Sequence, residues 1–400
     1  MLHEFHQTLG AHFANLNGAP IVNDYGNWLA EHAALREAAG VLDFSFRSRL
    51  CLVGADRVRF LHGQVTNDVK KLRPGEGCYA AITTAKGKME SDLNIFALAD
   101  ELLLDFEPGY AEKISQRLEK FIVADEVQIV AAAPHYGLLS VQGPKAEAVV
   151  RALDLFPEVP SLPLASVKMT SATLGEIYLM NHPRLAFVAA GILPAVEPGF
   201  QPGGKVNEST ARKESSAAIP GGRMPAATIF GFDLFVPHNS LGAVADKLVA
   251  AAKAIGGRAS GWQAFETARI EAGIPRFGAD MDETNLPLEC GIESRALTYT
   301  KGCYLGQEVI NRIHSVGHVN RELRGLRLAD DLKALPQKGA KLFHAGQEVG
   351  HVTSAVKSPK FNANIALGYV RREVNQIGNE LTLQTAAGES LVKIVALPFA

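Results

Sequence analysis

The chain has 400 residues, of which 47% are hydrophobic and 20% charged, so it can bury substantial cores in two or three domains and disorder is not expected. A formal net charge of -2 gives no overall reason to bind nucleic acid or an anionic membrane and puts small-molecule and protein partners first. The first residues lack the basic start and apolar core of a secretory leader, and no stretch approaches the roughly 20 apolar residues of a membrane span, so a soluble cytoplasmic protein is expected. Cys51, Cys78, Cys290 and Cys303 are scattered without a C-x-x-C pair, which argues against a disulfide framework and against a self-contained metal or cluster site.

Taken in chain order, strand-like runs alternate with amphipathic helices from residue 49 to residue 193, the pattern of mixed α and β layers. The stretches 50–61 and 137–153 each read as an apolar strand, a Gly turn and a helix, and look like a duplicated unit. A helix is predicted over 111–121, with Ile114, Leu118 and Phe121 on one face. Residues 197–225 are rich in Pro, Gly, Ser and Lys and read as a mobile surface insertion without chemistry. A further helix is predicted over 241–255, capped by Asn239 or Ser240 and ended by Gly256 and Gly257. From Arg321 onward, short alternating segments between Gly and polar turns predict a separate antiparallel barrel.

The most informative stretch is Lys301-Gly-Cys-Tyr-Leu-Gly-Gln-Glu308, followed by Val309-Ile-Asn-Arg-Ile313. Gly302 and Gly306 allow close backbone approach or positive φ, and Gln307 has the spacing of a helix start. Cys303 would then lie on a tight turn ahead of a helix, where Lys301 and the helix dipole would make it a reactive thiol or a ligand. The alternative is a buried cysteine that only packs, the commoner fate of a free thiol.

This stretch resembles the K-G-C-Y-x-G-Q-E signature of the YgfZ family of folate-binding proteins, relatives of the glycine-cleavage T protein. Lys86-Gly-Lys-Met89, Leu61-His-Gly-Gln-Val-Thr-Asn-Asp68, Arg269-Ile-Glu-Ala-Gly-Ile-Pro275 and Gly278-Ala-Asp280 resemble further stretches of the same families, so the likeness runs from about residue 25 to the C-terminus, the 197–225 insertion excluded. The resemblance implies an α+β, multi-domain aminomethyltransferase-like folate-binding fold with a C-terminal antiparallel β-barrel. The parts expected are 1–135 and 136–320 for the two halves of the core, and 321–400 for the barrel. It implies tetrahydrofolate or a derivative as ligand, iron-sulfur proteins or their assembly factors as partners, an effect on tRNA modification through such proteins, and Cys303 as the key residue, with Lys301, Gly302, Tyr304, Gly306, Gln307 and Glu308 completing its motif.

A reduced pterin presents ring N–H and amino donors, so its site needs a carboxylate or amide between apolar walls. Asp233 stands where the T protein has an acidic residue and is assigned to pterin recognition, with a solvent-facing acid on an alternating strand as the competing reading. Arg269 and Glu271 either shape the folate cavity or form structural ion pairs, and Asn67 and Asp68 either line it or fix a turn after Thr66.

Two other functions compete with the iron-sulfur reading. One is T-protein-like aminomethyl transfer to tetrahydrofolate, for which Asp92 is the acid retained where the T protein has Asp-Asp. Ser91 replaces its neighbour and Phe265 an arginine, both departures from the T protein. The other is RNA binding, prompted by Lys301, Arg312, Arg321, Arg324 and Arg327, although Glu308 and Glu322 dilute that field and direct nucleic-acid contact is not expected. No metal site is expected within the chain itself.

Overall fold

Two sheets built on the same plan, followed by a barrel, emerge from the computed structural model, which describes residues 2–185, 230–385 and 388–399. The expected insertion at 197–225 lies outside the described residues. The chain begins with α1 (His3–Thr8), a hairpin of β1 (His12–Leu16) and β2 (Ala19–Asp24), α2 (Trp28–Glu37) and β3 (Gly40–Asp43).

The first large unit comprises β4 (Ser48–Val53), α3 (Arg57–Gln64), β5 (Gly77–Thr83), β6 (Met89–Ala97), β7 (Leu102–Phe106), α4 (Ala111–Glu119) and β8 (Gln128–Ala131). Its strand order is β5-β6-β7-β4-β8. Period-two alternation sends Leu50, Leu52, Leu93, Ile95 and Leu104 to one face, where Phe60 and Leu61 of α3 and Ile114 and Leu118 of α4 cover them. Each such side chain contributes about 1.5–3 kcal/mol when fully buried. Phe121, expected on the α4 face, lies beyond the helix and is 39% exposed.

The second unit comprises β9 (Tyr136–Gly143), α5 (Ala146–Arg151), β10 (Ser166–Ser171), β11 (Gly175–Asn181), β12 (Phe230–Pro237), α6 (His238–Ala254) and β13 (Arg258–Ala259). Its order is β10-β11-β12-β9-β3-β13. In both sheets a strand-helix unit is followed by a three-stranded meander whose last strand returns beside the first, so the duplication read at 50–61 and 137–153 extends to whole sheets. A cut at residue 135 does not separate them, because β3 pairs with β9. Helix α6 starts at His238 with no side-chain cap, so neither Asn239 nor Ser240 caps it, while Gly256, at φ +83°, follows its end as expected.

The inward faces of the sheets meet through Leu42, Phe44, Cys51, Phe96, Leu103, Met180 and Phe235. Helix α7 (Trp262–Glu271) adds Phe265 to this layer, and α8 (Glu293–Ala296) and α9 (Gln307–Val316) follow. The closed six-stranded antiparallel barrel comprises β14 (Arg321–Leu328), β15 (Lys341–His344), β16 (Gln347–Ser358), β17 (Ala363–Arg371), β18 (Glu380–Thr385) and β19 (Gly388–Val395). Among the described residues no helix is long and apolar enough to cross a membrane.

Candidate functional site

Alternation on β6 and β7 determines which charges face the junction between the two sheets. On β6, Ser91 shares its face with Leu93 and Ile95 and is fully buried, whereas Asp92 turns to the opposite face. Ser91, expected to replace an acid of the T protein, is therefore on the helix-covered side, and Asp92, expected to be the retained acid, faces the junction. Tyr79 Oη donates to Asp92 Oδ2 at 2.8 Å. Burial, reinforced by the charge of Glu107, pushes the Asp92 carboxyl up to about 6.

Around Asp92 the buried charges form one network. Arg47 donates to Asp105 at 2.7 Å and to Glu107 at 2.9 Å, and Arg276 donates to Glu107 at 2.8 Å. Arg184 bridges Asp105 at 2.8 Å and Asp233 at 2.6 Å. Arg276 continues to Glu266, 3.4 Å away, and Arg269 joins Glu266 to Asp280. A bulge in β16 lets both Thr353 and Ser354 donate to Asp280, at 2.6 and 2.7 Å, which ties the barrel to the network. Burial alone would raise Asp105, but Arg184 and Arg47 hold it well below the ordinary carboxylate range.

Asp233 is fully buried, which excludes the solvent-facing reading. Its carboxylate accepts from Arg184 and from His182 Nδ1, the latter at 2.7 Å, and these neighbours outweigh burial and keep it ionised. Arg269 and Glu271 do not pair with each other. Arg269 reaches Glu266, Asp280 and Ser354, whereas Glu271 meets His32 at 2.8 Å and Ser358, so both fasten α7 to β16, Arg269 also to Asp280 and Glu271 also to α2. The Phe265 ring, expected in place of an arginine of the T protein, packs edge-on against Phe44 with the ring centroids 4.9 Å apart.

The second constellation surrounds Cys303. Lys301 is 7% exposed and its ammonium donates to the carbonyls of His62, Val65 and Asn67 at 2.6, 2.6 and 2.9 Å. These carbonyls lie at and just beyond the C-terminus of α3, where backbone acceptors lack helical partners. The expectation that Lys301 activates the thiol is corrected: all three of its N–H bonds go to backbone oxygens. Burial, only partly offset by Asp68 and Cys78, lowers the ammonium to about 8.

Leu305 N donates to Gly63 O at 3.3 Å, and Thr83 Oγ1 donates to Leu305 O at 2.6 Å. Gly306, at φ +90°, packs so closely on the β5–β6 turn that a Cβ would lie 2.5 Å from Thr84 O. Three stretches quoted for the family resemblance, 61–68, 86–89 and 301–308, thus converge here. Tyr304 is buried with Leu297 and Ile310, but Gly302, Cys303 and Glu308 are exposed and Gln307 is half-buried. The reading of Cys303 as a packed core thiol is overturned.

Asn67 links the two places. Its amide donates to the carbonyls of Tyr79 at 2.9 Å and Arg295 at 3.0 Å, its own carbonyl receives Lys301, and the Tyr79 ring meets Asp92. Asp68 lies 3.3 Å from His62 and 3.4 Å from Lys71. Sequence reasoning missed Arg47, Asp105, Glu107, Arg184 and Arg276, although Asp105 inside Leu102-Leu-Leu-Asp-Phe106 carried a signal, because a charge in a wholly buried apolar strand requires partners.

Comparison with known proteins fits this architecture. Residues 2–185 and 229–298 match the family model of the GCVT N-terminal domain, and residues 321–400 match the glycine cleavage T-protein C-terminal barrel domain. Similar relatives include an aminomethyltransferase of Shouchella clausii, 26% identical over 403 residues with 100% of this chain and 96% of the relative covered. Another, from Geobacillus thermodenitrificans, is 27% identical over 391 residues, covering 98% of this chain and 94% of the relative. Among solved structures, the glycine cleavage system aminomethyltransferase T from Bartonella henselae superposes with a TM-score of 0.80 at 22% identity, covering 100% of this chain and 97% of that one, and so shares the fold. The two family models cover both sheets and the barrel, and the chain belongs to the glycine-cleavage T-protein superfamily.

Proposed function

We propose that this protein binds tetrahydrofolate or a derivative at the charged junction and uses the Cys303 thiol in support of iron-sulfur protein assembly or repair, as in the YgfZ branch of the superfamily. The observation that carries this reading is the convergence of the 61–68, 86–89 and 301–308 stretches on a loop that presents Cys303 to solvent. An effect on tRNA modification would be indirect, through iron-sulfur clients. Arg321, Arg324 and Arg327 are matched by Glu289, Glu322 and Asp330, and Lys301 is buried, which leaves little of the cationic field that prompted an RNA-binding reading.

The junction suits a reduced pterin chemically. It offers half-buried Asp92 and Asn94 as polar partners, aromatic surface from Tyr79 and Trp262, and buried N–H groups of Arg49 and Arg269 that have no hydrogen-bond partner among the described residues. Asp92 and Tyr79 would hold the folate, with the Asp233–Arg184–Asp105 array fixing the frame around it. Tetrahydrofolate supplies amine nitrogens that accept or donate a one-carbon unit. Asp92, with a carboxyl near 6, can hold or release a proton beside such a nitrogen at neutral pH.

A second reading is aminomethyl transfer of the T-protein kind. The names of the curated relatives favour it over the iron-sulfur role, and so does the placement of Asp92 toward the junction. Two assays separate the readings. Complementation of a strain lacking this protein, scored by iron-sulfur enzyme activity, should succeed with wild type and fail with Cys303→Ser. Turnover of an aminomethyl-lipoyl carrier with tetrahydrofolate, unaffected by Cys303→Ser, would establish the second reading instead.

A further inference from the structure

One arginine occupies the hydrogen-bonding edge of the Asp233 carboxylate. Arg184 Nε donates to Asp233 Oδ1 at 3.2 Å and to Oδ2 at 3.0 Å, and its Nη2 donates to Oδ2 at 2.6 Å, so one side of the guanidinium covers the buried acid. The guanidinium carbon lies 5.3 Å from the centre of the Phe44 ring, and the Arg184 side chain is only 6% exposed. Nη2 also donates to Asp105 at 2.8 Å, and Asp105 accepts from Asn94, which shares a face of β6 with Asp92. Arg184 is thus the link between the buried carboxylate and the half-buried side of the junction. Its backbone is pinned: Arg184 N donates to Oε1 of buried Gln142 at 2.9 Å, the Gln142 amide donates to His182 O at 3.0 Å, and Leu185 is buried. Only the side chain has to turn to uncover Asp233.

We propose that Arg184 holds the pterin's place at Asp233 in the free protein, and that tetrahydrofolate binds by displacing the Arg184 side chain from that carboxylate. The inference rests on the reading of the junction as a folate site. Both occupants carry the same unit, a carbon bonded to three nitrogens with two N–H bonds side by side along one edge. The guanidinium supplies those bonds from Nε and Nη2, and the pterin from N3 and its 2-amino group. Both are flat and suit the face of Phe44. A buried carboxylate without donors is costly, so Arg184 keeps Asp233 satisfied while no ligand is bound. Its hold is then subtracted from the affinity of the ligand that takes its place. The arginine's charge strengthens that hold, and the folate offsets it with its contacts at Asp92 and Tyr79. After release, Arg184 still has Asp105 as a partner, and His182 Nδ1, 2.7 Å from Asp233, remains beside the carboxylate. A flat ring without the guanidine-like unit gains nothing from this opening, which makes Arg184 a determinant of specificity for 2-amino-4-oxo heterocycles.

The test is calorimetric titration of the full-length protein with tetrahydrofolate under anaerobic conditions, comparing wild type with Arg184→Met and Arg184→Lys. Arg184→Met leaves Asp105 paired with Arg47 at 2.7 Å and Asp233 with His182, so each acid keeps a partner and the chain folds. It should bind tetrahydrofolate about tenfold more tightly than wild type, because no side chain has to leave Asp233 first. Arg184→Lys, which keeps the charge but loses the flat pair of donors, should bind more tightly than wild type by a smaller factor. Millimolar guanidinium chloride, set against equal sodium chloride, should raise the melting temperature of Arg184→Met and weaken its folate binding, and do neither in wild type. Binding by wild type at least as tight as by both variants would overturn the proposal and leave the folate reading standing. Binding by none of the three, with guanidinium still stabilising Arg184→Met, would overturn the folate reading and the displacement with it.

Discussion

The Lys301 ammonium lies 2.6 Å from the His62 carbonyl oxygen, and the residues it joins are 239 positions apart in sequence. This contact closes the end of α3 and sets the start of the Cys303 loop. Lys301→Met keeps the stem but leaves three buried or half-buried carbonyls without their donor, each costing about 1 kcal/mol or more. A loss of about 2–4 kcal/mol in urea unfolding is expected, with faster proteolysis in the 301–306 loop. An unchanged midpoint would show that water replaces the ammonium freely.

Gly306 carries the other anchor. Alanine there must adopt φ near +90° and push its Cβ against Thr84 O. Gly306→Ala should cost about 1–3 kcal/mol and break the Thr83–Leu305 hydrogen bond. Amide exchange at the 83–88 turn should rise in that variant, and unchanged exchange would contradict the packing described.

Two acids of the junction should respond to pH with opposite sign. The folded-state value of Asp92, about 6, lies above its unfolded value near 3.9, so the folded chain binds the extra proton and stability falls as pH rises through that window. Asp92→Asn, which still accepts from Tyr79, should raise stability by about 1–2 kcal/mol at pH 7.5, and the gain should vanish by pH 4. Thermal unfolding at both pH values checks it.

Asp105 behaves the other way, because Arg184 and Arg47 hold its folded value below the unfolded one. Its contribution is present above about pH 4 and is lost as pH falls through the folded value. Asp105→Asn should cost about 3–5 kcal/mol at pH 7 by removing one of the two carboxylate partners of each of the buried Arg47 and Arg184 guanidinium groups, and the penalty should shrink in acid. A pH-independent penalty would point to lost packing instead.

Local signals made much of the fold legible. The strand-helix repeat at 50–61 and 137–153, the barrel after Arg321 and the helix at Gln307 each rest on periodicity and turn residues within a few positions. The insertion of β3 into the second sheet was not legible, because a four-residue apolar strand carries no mark of its partner. Cys303 stood out through its glycines and flanking polar residues. The role of Lys301 did not, since its acceptors are backbone oxygens of residues 62–67, which no side-chain pattern marks. Asp233 was found, but its partners His182 and Arg184 come from a segment whose own pattern is unremarkable.

The most direct test of the central claim is calorimetric titration of the purified protein with tetrahydrofolate under anaerobic conditions, repeated with Asp92→Asn, Tyr79→Phe and Cys303→Ser. Saturable one-to-one binding is predicted for wild type and unchanged for Cys303→Ser, with affinity reduced about tenfold or more in the two junction variants. Absence of binding to the folded wild-type protein, or binding that is lost in Cys303→Ser and kept in Asp92→Asn, would contradict a folate site at the junction.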